Sequence, residues 1–139
     1  MNTTGRHLLL EYRGCDGAVL DDFSTIEALM LKAAEAAGAT IIQSVFHRFS
    51  PHGVTGVVVV AESHLSIHTW PEYGYAAVDF FTCGECEPER AHDVLVEGLR
   101  SRKYAIMKVE RGLDPPGPGL QVVPSTEGVE PGAWVTREL

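Results

Sequence analysis

TIIQSVFHRFSPHGVTGVVVVAESHLSIHTWPEYGYAAVDFFTC, residues 40–83, is the stretch whose reading decides the fold. Residues 40–49 alternate in part and are rich in β-branched side chains, SPHG at 50–53 is turn chemistry, and 54–63 holds the run Val57 to Val60. These features predict two neighbouring strands joined as a hairpin. Residues 64–70 alternate, with His64, Ser66 and His68 on one face and Leu65, Ile67 and Thr69 on the other. A break at 71–74, PEYG, leads into a further strand at 75–83.

Upstream, residues 7–13 form a short apolar run that ends at Gly14 and Asp16, a strand entering a turn. Residues 21–39 follow helical spacing through Ile26, Leu29, Met30, Ala33 and Ala34, with Ser24 and Glu27 as a capping box and Gly38 as the stop. Downstream, Pro88 opens an amphipathic helix marked by Ala91, Val94, Leu95 and Leu99, and residues 104–111 read as a last strand. The order β-α-β-β-β-β-α-β with short links predicts an α+β fold, a mainly antiparallel sheet with two helices on one face. The other face needs cover, which a second subunit supplies.

At 139 residues the chain is one domain by the rule of roughly 150 residues per domain. Eleven Lys and Arg against nineteen Asp and Glu give a net charge of −8, a field that repels phosphate backbones, so nucleic acid is a poor partner. Three consecutive leucines before Glu11 are too short for an export signal and no window reaches a membrane span, so the expectation is a cytoplasmic protein without a membrane partner. Residues 112–139 hold five Pro and five Gly without an apolar period, which reads as a tail that is disordered or loosely packed on the surface. The VTREL end beside Trp134 is its one candidate for docking. The domain proper is then 1–111 and the tail 112–139.

Reactive side chains gather between Glu62 and Cys86. His64, His68, Cys83 and Cys86 have the chemistry of a zinc set, but on a strand the two histidines stand about 13 Å apart, too far for ligands that must each lie about 2 Å from one metal. No metal site is expected. Cys83-Gly-Glu-Cys86 follows a strand and precedes a helix, as redox motifs do, although the order of elements around it is not thioredoxin-like. Three cysteines make a disulfide framework improbable; Cys15 reads as core and Cys86 as surface or helix-start packing.

The run ESHLSIHTWPEYGYAAVDFFTCG, residues 62–84, together with GRH near Gly5, GATI near Gly38 and FHRFSPHGVTGVVVVAES, closely resembles the small prokaryotic S-adenosylmethionine decarboxylases across about residues 5–111. The resemblance implies self-cleavage between Glu62 and Ser63 into a β chain 1–62 and an α chain 63–139. Ser63 would attack the preceding carbonyl to form an ester; removal of its α-proton would expel the Glu62 carboxylate. The dehydroalanine left behind would hydrolyse, with loss of ammonia, to a pyruvoyl cofactor. His68 matches the family's processing base and Thr55 a processing helper, where the family carries serine; threonine keeps the hydroxyl but stiffens χ1. His64, beside the cut, is a second choice as base.

The pyruvoyl group would form a Schiff base with the substrate amine and take up electrons as CO₂ leaves, and Cys83 matches the proton donor. Phe49, Trp70 and Glu72 match the substrate contacts, the aromatics for adenine and the carboxylate for ribose hydroxyls. The implied product is decarboxylated S-adenosylmethionine, the aminopropyl donor for spermidine synthesis. The implied assembly is a homodimer of cleaved αβ units, a four-layer α/β/β/α sandwich in which Ser63 and Cys83 act with Thr55, His68 and Glu72 of the partner. Two alternatives stand beside this: a pyruvoyl decarboxylase of a basic amino acid such as arginine or ornithine, and a non-catalytic regulatory paralogue that does not process.

Overall fold

The computed structural model describes residues 3–124 and 129–139. Each stretch read as extended forms a strand: β1 (Gly5–Arg13), β2 (Ile41–Arg48), β3 (Val54–Val60), β4 (Ser63–Trp70), β5 (Tyr75–Cys83) and β6 (Lys103–Arg111). Period-two burial is plainest in β5 and β4. In β5, Ala76, Val78, Phe80 and Thr82 are buried while the residues between are half-exposed. In β4, Leu65, Ile67 and Thr69 point inward and His68 and Trp70 outward. The sheet order is β2-β3-β4-β5-β1-β6 and every pairing is antiparallel.

The tail contributes two short strands, β7 (Gln121–Val123) and β8 (Val135–Thr136), which pair with β6 at its opposite ends. Arg137, two residues from the end of the chain, reaches the carbonyls of Val96 at 3.0 Å and Ser101 at 2.6 Å. Thus VTREL docks against the end of the second long helix.

Among the described residues three α-helices stand where two were expected: α1 (Gly17–Leu20), α2 (Phe23–Ala36) and α3 (Pro88–Gly98). The extra one is a single turn, too short to show an apolar period, and starts at Asp16, whose carboxylate accepts from the Ala18 N–H at 2.9 Å. The capping of α2 also differs from expectation. Its N-cap is Asp22, accepting from the Thr25 N–H at 3.2 Å, and Ser24 lies already inside the first turn. A carboxylate satisfies the same orphan N–H and adds favourable charge at the helix start, so the earlier residue prevails. Gly38 ends α2 as read, at φ 80°, with Ala39 N–H bonded back to Ala34 O at 3.1 Å.

Helices α2 and α3 cover one sheet face. Ile26, Met30, Ala33, Ala91, Leu95 and Leu99 pack over Leu8, Leu10, Val58, Leu65, Ile67 and Phe80 in one cluster. Tyr12 is buried in the same layer and its hydroxyl bonds His92 Nδ1 at 2.8 Å. Burial pushes the His92 imidazole down to about 4 and the Tyr12 phenol up. Across the sheet, among the described residues, no helix covers the other face, where Leu9 is 42 % exposed, Val45 60 % and Val59 40 %.

Candidate active site

Antiparallel pairing sorts the singled-out residues onto two opposite ends of the sheet. At one end β3 runs out, the link Ala61–Glu62 turns the chain, and β4 begins at Ser63. Glu62 sits at φ 65°, the left-handed region, where a side chain costs about 1–2 kcal/mol. The Ser63 hydroxyl donates to the Glu62 carbonyl and accepts from the Cys83 N–H at 3.1 Å. Cys83 is the last residue of β5 and lies opposite Gly5 of β1. A Cβ on Gly5 would stand 3.1 Å from the Cys83 sulfur and 2.8 Å from the Phe81 ring, so only glycine leaves room for both. The Ser63 hydroxyl, the Glu62 carbonyl and Cys83 are therefore neighbours within one chain.

The opposite end, where β2 and β4 finish and β3 and β5 start, carries the rest. Thr55 and His68 are register partners, with Thr55 Oγ1 and His68 Nδ1 at 3.1 Å. A proton on Nδ1 shared with that hydroxyl leaves the Nε2 lone pair free to take a proton. Phe49 follows β2, its N–H bonded to Gly53 O at 2.8 Å and its ring edge-on to His47 at 4.6 Å. Trp70 closes β4 and stacks on Tyr75 at 5.1 Å, and the Arg13 guanidinium lies 3.9 Å from the Tyr75 centroid. Glu72 lies in the 3-10 turn Pro71–Tyr73 and pairs with His52.

The hairpin bearing Phe49 and His52 is pinned by Asp21, whose carboxylate accepts from Gly53 N–H at 2.9 Å and Arg48 Nη2 at 3.0 Å. The Gly53 hydrogen bond, first, and Arg48 hold that carboxyl below its usual range. The two glycines of GVTG have separate reasons. Gly53 takes φ 104°, and a Cβ on Gly56 would fall 1.9 Å from the Phe46 ring.

Within one chain these two ends do not meet. Ser63 and His68 are five residues apart along β4, about 16 Å at the rise of an extended strand. Nor are His64 and His68 brought together, since His64 bonds Asp79 and His68 bonds Thr55. Cys86 lies past β5 with its carbonyl taken by Arg6. Cys15 is buried, and burial lifts its thiol to about 11, the environment of a small core residue.

Sequence reading missed the array around Asp79. Its Oδ2 accepts from His7 Nε2 at 2.7 Å and from His64 Nε2 at 2.9 Å, and its Oδ1 accepts from Ser66. Arg111 Nη1 lies 3.1 Å from His7 Nδ1. Arginine only donates, so Nδ1 accepts and the proton of His7 lies on Nε2, toward Asp79. His7 and His64 thus stand as donors around the Asp79 carboxylate, although ligand atoms of the three residues lie close enough to suggest a metal. A lone carboxylate inside the apolar run of β5 was the available signal.

An antiparallel sheet layered by helices on one side, with a Glu-Ser turn and a cysteine at one end and His-Thr-Trp-Pro-Glu at the other, defines a class of small α+β proteins. The family model described as S-adenosylmethionine decarboxylase matches residues 6–112, and the chain belongs to that family. An S-adenosylmethionine decarboxylase proenzyme of Thermotoga petrophila is 53% identical over 113 residues, 81% of this chain and 87% of the relative. Its counterpart in Acetivibrio thermocellus is 51% identical over 114 residues, covering 81% and 92%. The crystal structure of the adenosylmethionine decarboxylase from Aquifex aeolicus superposes with a TM-score of 0.74 at 38% identity, covering 85% of this chain and 98% of that one.

Proposed function

We propose that this chain is a self-processing decarboxylase of S-adenosylmethionine, cut between Glu62 and Ser63. The observation that carries the reading is the Ser63 hydroxyl held against the carbonyl of a left-handed Glu62, with Cys83 behind it. Attack on that carbonyl converts amide to ester and relieves the backbone constraint on residue 62. Loss of the Ser63 α-proton then breaks the Cβ–O bond, and hydrolysis with release of ammonia leaves a pyruvoyl group at position 63. The residues present fit such a group, because position 63 is a serine at the start of a strand with a thiol-bearing residue one hydrogen bond away. A pyruvoyl ketone supplies an electrophile for the substrate amine and a sink for the electrons released as CO₂ departs.

The chain's own residues do the rest. His68, oriented by Thr55, takes the α-proton during processing. Cys83 returns a proton to the former α-carbon of the substrate. Phe49 and Trp70 present aromatic faces for adenine, and Glu72 presents a carboxylate to the ribose hydroxyls. The product is an aminopropyl donor for spermidine synthesis. The identity to decarboxylases named for S-adenosylmethionine favours that substrate over arginine or ornithine.

A complete site takes two copies. The distance of about 16 Å along β4 is larger than the roughly 10 Å between face-packed sheets. Exposed Leu9, Val45 and Val59 lie on the uncovered face. A two-fold axis between two such faces, perpendicular to the strands, lays the Ser63 end of one copy over the His68 end of the other and forms a four-layer homodimer. Among the described residues no helix is long and apolar enough to cross a membrane.

The mass of the purified protein under denaturing conditions tests processing. Two species, 1–62 and a blocked 63–139, with CO₂ release from S-adenosylmethionine but not from arginine or ornithine, are expected. A single intact chain after long incubation would refute the reading, and an intact chain that still binds S-adenosylmethionine would restore the regulatory alternative.

A further inference from the structure

The array centred on Asp79 has no part in the chemistry just described, yet it ends one residue from the bond to be cut. It spans four strands. Arg111 of β6 fixes the tautomer of His7 on β1, His7 donates to Asp79 on β5, and Asp79 accepts from His64 on β4. Ser66, on the same face of β4, supplies a further donor. Asp79 is half-buried, which pushes its carboxyl up, but the bonds from Ser66, His64 and His7 outweigh burial and hold it below the usual range. It therefore remains a carboxylate held by three donors, two on Oδ2 and one on Oδ1.

We propose that Asp79 is a positioning residue that holds His64, and through it residue 63, against Cys83 during self-cleavage and afterwards. Ser63 sits between two anchors: the turn at Glu62 behind it and the His64 side chain ahead of it. The turn anchor is lost when the chain is cut. From then on residue 63 is an end, held by the β4 ladder and by the one side chain adjacent to it that bonds across strands. A ring tied at 2.9 Å to a carboxylate that two other donors immobilise is a stiff tether. Displacements near 1 Å at a reacting centre cost on the order of a hundredfold in rate.

The inference rests on the proposed self-cleavage, and the test separates the two. Wild-type chain that stays intact defeats the proposed function itself. Given a cleaving wild type, the cleavage rate of freshly made precursor is followed by intact mass, at a temperature where its thermal melt shows it folded. Asp79→Asn removes one acceptor and faces the histidine N–H groups with a donor; its cleavage should slow by about tenfold or more. His64→Leu, which leaves Asp79 bonded to His7 and Ser66 and is the safer variant for folding, should slow it equally. Restoring an N–H donor with His64→Gln should recover most of that loss.

The double variant Asp79→Asn with His64→Leu should be no slower than either single one, because both break the same tether. In cleaved protein the singles should lower kcat and leave KM within about twofold, since Asp79 and His64 bond none of the proposed substrate contacts Phe49, Trp70 and Glu72. Cleavage within twofold of wild type in folded His64→Leu would overturn the proposal. So would losses that multiply in the double variant.

Discussion

In the proposed self-cleavage, Glu62 and Ser63 share the peptide bond that breaks and divide the labour of breaking it. The first holds a backbone angle that glycine tolerates and glutamate resists; the second holds the hydroxyl that can exploit it. Ser63→Ala should give one folded, uncleaved chain, and two bands on a denaturing gel would contradict the assignment. Cys83→Ala should still be cut but lose turnover by about a hundredfold or more, the range of a positioned proton donor. Normal turnover would remove the thiol from the mechanism. Thr55→Ala should slow processing while Thr55→Ser should not, because the hydroxyl rather than the methyl faces His68. The positions proposed for the cut, the base and the proton donor were legible in the sequence because Glu62, Ser63, His68 and Cys83 stand in one continuous block. Asp79 was not, because its partner His7 is seventy-two residues away and only the β1–β5 register joins them.

At the level of elements, helical spacing showed both long helices, and apolar or β-branched runs bounded by turn residues, with alternation clearest in β4, showed every strand of the 1–111 region. Sequence reading missed α1, whose one turn exists because Asp16 caps it, and it placed the α2 cap at Ser24 instead of Asp22. The pairing of β3 with β2 predicts that Gly56→Ala, driven into the Phe46 ring, destabilises the protein by about 1–3 kcal/mol, seen as a lower urea midpoint. Between β1 and α3, His92 is neutral in the fold, with a value of about 4 against about 6.5 when unfolded. The unfolded chain takes up that proton first, so this contribution is whole above about pH 6.5 and falls as pH drops toward 4. It amounts to about 3 kcal/mol in all, of which about 2 is gone by pH 5. His92→Leu should therefore lose less stability than wild type between pH 7 and pH 5, and identical losses would show that His92 is not held neutral.

For the whole molecule, the governing fact is that the fold places Ser63 and Cys83 at one end of the sheet and Thr55, His68 and Glu72 at the other. Composition and charge could not show this, because it depends on which strand ends fall together once the sheet is assembled. An uncovered sheet face was legible from the order of elements; the separation along β4 on which the proposed second copy rests came only with the register. Co-expression of Ser63→Ala and His68→Ala chains tests that claim most directly. Each variant alone should remain intact. In mixed dimers the His68→Ala chain borrows His68 from its partner, so at equal expression roughly half of the His68→Ala chains should be cut at Glu62-Ser63. Mass spectra in which the His68→Ala chain stays wholly intact in the mixture, or cleaves just as well alone, would contradict a site shared between two copies.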